Sequence, residues 1–97
     1  MIKTLKERGG AELAAERLWS VYIVRCGDDS LYTGIAKDVD ARITAHNAGR
    51  GAAYTRARRP VNLVYRVGKM TRSEALVEEA RIKSLPRDEK TELFQKS

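Results

Sequence analysis

The sequence has one cysteine, Cys26, and no run of the about twenty apolar residues that a membrane-spanning helix requires. A single cysteine cannot form a disulfide within the chain, and Cys26 lacks the neighbouring cysteine and histidine residues of a zinc site. We therefore expect Cys26 to be a small apolar side chain on a strand, in a reducing compartment. The first residues, MIKTLKERGG, also lack the apolar stretch of a signal peptide, so the protein is expected to remain in the cytoplasm and not to enter a membrane.

The chain also lacks low-complexity segments and internal repeats, and its 97 residues are enough for one small domain. Apolar residues make up 42% and charged residues 33%, as in globular proteins. The 19 lysines and arginines exceed the 13 aspartates and glutamates, which gives a net charge of +6. Such a charge favours polyanionic partners, although a basic surface can also serve solubility alone.

Three strands are predicted. Residues 19–26 are rich in aromatic and β-branched side chains, and the turn-forming run GDDS follows them. Residues 31–35 then return as a second strand, which predicts a hairpin. Apolar residues at alternate positions predict a third strand at residues 61–67. We expect these strands to form a three-stranded antiparallel sheet.

Capping residues mark the ends of the main helices. Asp38 is a suitable N-cap and Gly49 a suitable C′ residue for a helix at residues 39–48. Thr71 and Glu74 have the spacing of a capping box, which predicts the start of a second helix.

Two further helices are predicted at the ends of the chain, at residues 11–17 and 87–95. The fold class is therefore α/β in the α+β sense, with a central sheet flanked by helices. We divide the chain into an N-terminal helical extension at residues 1–18 and one domain at residues 19–97.

Two tyrosines and a pair of helix residues are the first candidates for a site. Tyr22 and Tyr32 lie on the two strands of the hairpin, whose register can place them side by side. Arg42 and His46 lie one turn apart on the following helix, beside its apolar stripe. Each pair also has a structural explanation, as packed strand tyrosines or as a surface pair. Together, the four residues point to a phosphate site.

Glu79 is predicted to lie among the apolar residues of its helix, whereas Glu78 points to the opposite side. A buried carboxylate is strongly destabilising unless a cation or a hydrogen-bond donor meets it. Glu79 therefore needs a partner, either a divalent metal ion or the arginine of a salt bridge. The apolar positions that define this side of the helix are Ala75, Leu76, Ala80 and Ile82.

The run GRGAAYTRARRP at residues 49–60 concentrates arginine around one tyrosine. Arginine binds phosphate oxygens through a planar fork, and an exposed tyrosine can stack on a nucleic-acid base. This loop is a candidate for binding a nucleic-acid backbone, although a run of charges is often only solvated. The residues concerned are Arg50, Tyr54, Arg56, Arg58 and Arg59.

These residues give the chain a resemblance to the GIY-YIG nuclease superfamily, from the first predicted strand to the last helix. The family's Gly-Ile-Tyr motif corresponds to Ser20-Val21-Tyr22, and its Tyr-Ile-Gly motif to Tyr32-Thr33-Gly34. The run GRGAAYTRARRPVNLVY is similar to the small, single-domain bacterial (YhbQ-like) branch. The family's helix-borne arginine, the His or Tyr one turn later and the metal-binding glutamate correspond to Arg42, His46 and Glu79.

The resemblance implies a GIY-YIG fold and a metal-dependent DNA endonuclease, with one Mg²⁺ or Mn²⁺ ion held by Glu79. Arg42 would bind the phosphate. Tyr22 would act as general base, with its phenolate favoured by the metal, Arg42 and His46. His46 could relay the proton, and Tyr32 would position water or phosphate. Whether Tyr22 or His46 finally takes the proton stays open.

The chain departs from the family pattern at Ile35, because several relatives have a lysine there, and only Lys37 is nearby. Large relatives carry extra DNA-reading domains, and their absence predicts recognition of backbone and shape more than sequence. The expected partner is DNA, with RNA as an alternative, and the N-terminal helix could form a homodimer. A non-catalytic nucleic-acid-binding module and a structural or interaction protein are the alternative functions.

Overall fold

The computed structural model describes residues 17–95. The predicted N-terminal helix lies outside them except for its last residue, which is in a turn. The described part contains three strands, β1 (Trp19–Arg25), β2 (Leu31–Ala36) and β3 (Asn62–Met70). Its helices are α1 (Val39–Asn47), α2 (Ala53–Arg56), α3 (Arg72–Lys83) and α4 (Arg87–Glu92).

The three strands form one antiparallel sheet in the order β2-β1-β3, which confirms the predicted sheet. The central strand β1 is the most buried part of the chain, because both of its neighbours and both faces of the sheet cover it. In the hairpin, Tyr22 is opposite Gly34 and Val24 is opposite Tyr32. Residues that face each other across a pair of strands point to the same face of the sheet, so both tyrosines lie on one face.

Two bulges interrupt the pairing of β3 with β1. One adds Val64 between the pairs formed by Leu63 and Tyr65, and the other lies near Lys69, which has a φ of 62°. An extra residue in a strand reverses the faces of the residues beyond it. The alternating apolar residues of β3 therefore do not share one face: Leu63 packs on the face of Tyr22, whereas Tyr65 and Val67 pack on the other.

The predicted helix ends are confirmed for the two longest helices. Asp38 is the N-cap of α1 and accepts a hydrogen bond of 3.0 Å from the backbone N–H of Ala41. Gly49 follows the last turn of α1 with a φ of 82°, a conformation that favours glycine. Thr71 and Glu74 form both hydrogen bonds of the capping box at the start of α3.

The sheet separates two apolar clusters. On one face, α1 contributes Val39, and Cys26 is buried there as an apolar side chain, as predicted. On the other face, α3 contributes Ala75 and Ile82, and the residues after α4, Leu93 and Phe94, pack beside them. None of the helices within residues 17–95 is long and apolar enough to span a membrane.

The predicted apolar side of α3 is too wide. Ala75 and Ile82 are fully buried, but Leu76 is 38% exposed and Ala80 is exposed. These two buried positions lie two turns apart, so α3 contacts the sheet along a narrow stripe and leaves its flanks in solvent.

Candidate active site

Tyr22 and His46 meet inside the protein, where their side chains are shielded from solvent. The Tyr22 hydroxyl lies 2.8 Å from Nε2 of His46, which is hydrogen-bond distance. Gly34 makes room for this hydroxyl, because a Cβ at Gly34 would lie 2.6 Å from it. The hairpin register runs past Gly34 without a bulge, so the glycine allows the close approach of the Tyr22 side chain.

His46 has a second partner that the sequence did not suggest. Its Nδ1 lies 2.7 Å from Oγ1 of Thr55, a fully buried residue of the short helix α2. The predicted loop at residues 49–60 therefore contains a helical turn. The sequence does not mark this turn. Its N-cap, Ala52, makes no side-chain hydrogen bond, and its four residues are too few to show an apolar period.

Tyr32 completes an aromatic cluster around the histidine. Its ring centre lies 5.4 Å from that of His46 in an edge-to-face arrangement. Tyr32 also stacks on Tyr54 of α2, at a distance of 5.9 Å between ring centres. The structure thus brings Tyr22, Tyr32 and His46 together as predicted, and adds Tyr54 to the same cluster.

Burial and the neighbouring Arg42 shift the pKa of Tyr22 in opposite directions. Burial raises the pKa of the Tyr22 phenol above its usual value, and the guanidinium of Arg42 only partly offsets this effect. The nearby Tyr32 phenol and the Glu79 carboxylate add to the rise. Among the described residues, desolvation of the charged form therefore outweighs Arg42, and the phenolate would depend on the expected metal ion.

The pKa of His46 is shifted in the opposite direction. Burial lowers the pKa of its imidazole, and the positive charge of Arg42 lowers it further. At neutral pH the ring is consequently uncharged, and one of its two nitrogens carries a lone pair.

The charge of Glu79 adds slightly to the raised pKa of Tyr22. Its side chain is 19% exposed, and Oε2 lies 3.3 Å from Nζ of Lys83 in an ion pair. The sequence offered an arginine as the alternative partner to a metal, and the partner observed is a lysine. Glu78, predicted to point to the opposite side of the helix, is also partly buried and pairs with Arg81.

Lys83 connects Glu79 with the aromatic cluster. A cavity of about 220 Å³ lies between Lys83 and Lys90 on one side and Tyr32 and Tyr54 on the other, with Leu31 and Thr33 completing its lining. Neither lysine was among the predicted site residues. Lysine has no sequence signal that distinguishes a side chain at a site from the many that are solvated.

A metal site at Glu79 has to be built from few protein ligands. Within residues 17–95, no three His, Cys, Asp or Glu side chains are grouped closely enough to hold a metal ion. Mg²⁺ usually keeps several water molecules and binds one or two carboxylates together with substrate phosphates. Glu79 fits this limited role, because its carboxylate is partly accessible and its one ion pair is with a lysine that is 54% exposed.

The arginines of the predicted nucleic-acid-binding loop fall into two groups. Arg58 lies 3.8 Å above the ring of Tyr54 and is paired with Asp28 at 3.1 Å, so the Tyr54 ring already contacts both Arg58 and the stacked Tyr32. Arg59 donates a hydrogen bond to the backbone of the loop. Arg50 and Arg56 are exposed. The contact of this loop with nucleic acid stays a prediction.

Comparison with known proteins gives a consistent result. The profile of the GIY-YIG catalytic domain family matches residues 18–92. A UPF0213 protein of Staphylococcus epidermidis is 56% identical over 75 residues, which cover 77% of this chain and 92% of that protein. A UPF0213 protein of Staphylococcus aureus is 57% identical over 74 residues, which cover 76% and 90% of the two chains.

Two solved structures are also similar, both determined by solution NMR. A UPF0213 protein of Bacillus halodurans is 44% identical, with a TM-score of 0.50 over 77% of this chain and 80% of that one. A protein of E. faecalis is 38% identical, with a TM-score of 0.51 over 76% and 80% of the two chains. The matched profile spans the sheet and all the site residues. Together with the identity of these relatives, it shows that the chain belongs to the GIY-YIG family, among the small bacterial UPF0213 proteins.

Proposed function

We propose that this protein is a metal-dependent endonuclease that hydrolyses phosphodiester bonds in DNA. The observation that carries the proposal is the buried hydrogen bond between Tyr22 and a neutral His46, with Arg42 and Glu79 beside it. A buried phenol hydrogen-bonded to an uncharged imidazole gives a proton a route from Tyr22 to Nε2 of His46.

Tyr22 and His46 would act together as the base. Because the raised pKa of Tyr22 disfavours a free phenolate, the phenol oxygen takes a proton from water as its own proton passes to Nε2 of His46. The water oxygen forms a bond to phosphorus, and the bond from phosphorus to the 3′ oxygen breaks. The departing oxygen keeps the electron pair and takes a proton from solvent.

Charge on the phosphate would be met by Arg42 and a divalent cation. The Arg42 guanidinium can donate to a nonbridging oxygen through its planar fork. Glu79 would hold one Mg²⁺ or Mn²⁺ ion, which when bound supplies further neutralisation of the phosphate and the leaving oxygen. Tyr32, in contact with His46, is placed to position water or phosphate.

The substrate would be recognised mainly through its backbone. Arg50 and Arg56 are exposed, and arginine contacts to phosphates carry no sequence information. We therefore propose weak sequence selectivity, with branched DNA as the structural preference to test and RNA as a second substrate. A role in DNA repair or processing is consistent with this selectivity.

The test is cleavage of supercoiled plasmid and of branched DNA with Mg²⁺ or Mn²⁺. Glu79→Gln should reduce the cleavage rate at least about 100-fold, because metal-ion catalysis contributes several kcal/mol, while DNA binding is retained. Glu78→Gln is the matched control and should cut at nearly the wild-type rate, since Glu78 is paired with Arg81 instead.

Equal rates for wild type and Glu79→Gln would exclude the metal role of Glu79. Binding without cleavage by the wild type, under both metals and on both substrates, would instead identify a non-catalytic nucleic-acid-binding module on a nuclease fold.

A further inference from the structure

The proton in the hydrogen bond between His46 and Thr55 can lie on either side chain. Its position depends on the second partner of the Thr55 hydroxyl. The Thr55 hydroxyl lies 2.7 Å from Nδ1 of His46 and 3.0 Å from the carbonyl oxygen of Ala52. A carbonyl oxygen can only accept, and a hydroxyl has a single proton. Because the carbonyl oxygen of Ala52 offers the hydroxyl proton an acceptor, we take Thr55 to donate to Ala52 and its oxygen to accept the proton on Nδ1 of His46.

This direction decides the state of the other ring nitrogen. A neutral imidazole that carries its proton on Nδ1 has its lone pair on Nε2. Nε2 is the atom that faces the Tyr22 hydroxyl at 2.8 Å. The three hydrogen bonds therefore run in one sense, from Tyr22 to His46, from His46 to Thr55 and from Thr55 to Ala52.

The surroundings of His46 hold its imidazole ring in one position. His46 and Thr55 are both fully buried, so bulk water cannot replace either partner. Gly51 packs directly against Nδ1, and a Cβ at Gly51 would collide with the imidazole ring. Tyr32 lies against the ring with its edge-to-face contact. The imidazole is thus held on several sides, and Thr55 is the side chain that bonds Nδ1.

We propose that Thr55 is a positioning residue that holds His46 in the tautomer with its proton on Nδ1, so that Nε2 is always free to accept the Tyr22 proton. The part of this statement that concerns catalysis rests on the proposed function. The tautomer itself does not, because it is inferred from the hydrogen-bond geometry around His46.

Loss of the hydroxyl should release this constraint. With Thr55→Val, a proton on Nδ1 would be buried without an acceptor, whereas a proton on Nε2 could be donated to the Tyr22 oxygen. The second tautomer then becomes the favoured one. In that state Nε2 already carries a proton, so it cannot accept another from Tyr22.

The tautomer can be read directly because His46 is the single histidine of the chain. The ¹⁵N NMR signals of one imidazole ring, recorded near pH 7.5, distinguish a protonated nitrogen from one with a lone pair. We expect the wild type and Thr55→Ser to carry the proton on Nδ1. Thr55→Val should shift most of the population to Nε2–H, and Thr55→Ala serves the same purpose if the valine variant fails to fold.

Two results would overturn the proposal. One is a wild-type spectrum with the proton on Nε2, and the other is an unchanged Nδ1–H tautomer in the folded valine or alanine variant. Both are independent of cleavage, so a protein that does not cut DNA leaves the tautomer result standing and refutes only the proposed function. If the wild type does cut, Thr55→Val should lower kcat about 100-fold at constant KM, with Thr55→Ser restoring it.

Discussion

His46 is a titratable side chain without solvent contact, and its lowered pKa couples its protonation to folding. An unfolded histidine has a pKa of about 6.5. In the folded protein the pKa is lower, so in the window below about pH 6.5 the unfolded chain binds more protons than the folded one. The free energy of unfolding must therefore fall as the pH drops through this window, until the folded pKa is reached.

We expect urea unfolding between pH 7.5 and 5.5 to show this loss of stability in the wild type. His46→Gln should show a much flatter profile over the same range, because it removes the titrating group. The carboxyl groups of Asp28 and Glu78, whose pKa values are lowered, lose their contribution only at more acidic pH. Parallel profiles for the two proteins would contradict a depressed His46 pKa.

Single residues also show where reasoning from the sequence succeeds and where it stops. Tyr22, Tyr32 and His46 could be found because their residue types and spacing are those of a known chemistry, and the structure brings them together. Thr55 and Gly51 could not be found in this way. Their importance depends on which side of the His46 ring they approach, and this is decided by the path of a loop, not by spacing along the chain.

At the scale of helices and strands, one side chain joins the end of α1 to the start of β3. Asn47, the last residue of α1, donates to the carbonyl oxygen of Val61 at 3.0 Å and accepts from its N–H at 2.7 Å. These two bonds fasten the end of the loop that carries α2. The position of Thr55 beside His46 thus depends on the same pair of hydrogen bonds.

Asn47→Ala should lower the free energy of unfolding by about 1–3 kcal/mol, because it leaves the backbone of a buried residue without partners. Chemical denaturation measures this change. Asn62→Ala, at an exposed position at the start of β3, is the control and should change stability by less than about 0.5 kcal/mol. Similar values for both variants would show that the two hydrogen bonds contribute little.

Among the helices and strands, features set by local contacts could be predicted from the sequence and features set by distant contacts could not. The caps of α1 and α3 depend on contacts within four residues, so the sequence was sufficient to predict them. The bulges of β3 depend on its pairing with β1, more than thirty residues earlier in the chain, and alternation of apolar residues gave no sign of them. The short helix α2 likewise owes its place to Asn47 and to aromatic packing.

Over the whole molecule, the net charge of +6 is less informative than its placement. Several arginines are already engaged in ion pairs, as with Arg58 and Asp28, and these contribute little to the binding of a polyanion. Exposed Arg50 and Arg56 lie in the loop that leads to β3. The protein should therefore bind DNA through one end of the sheet and not over its entire surface.

Replacing both Arg50 and Arg56 by alanine should reduce the slope of log binding constant against log salt concentration by about 2, or about 0.9 per lost phosphate contact. Lys69→Ala with Arg72→Ala is the matched control. It removes the same charge from the opposite end of β3 and should leave the slope nearly unchanged. Titration by fluorescence anisotropy at several salt concentrations measures both. Equal slopes for the two double variants would disprove a localised interface.

The bulge at Val64 has a consequence for how this protein can change in evolution. Because one extra residue divides β3 between the two apolar clusters, the length of the strand is as important as its composition. Deleting the bulged Val64 would leave Tyr65 opposite Ile23 and Val67 opposite Val21, whereas deleting Arg66 would turn Val67 toward the Tyr22 side of the sheet. The lineage should consequently accept many substitutions in β3 but few insertions or deletions outside the bulge.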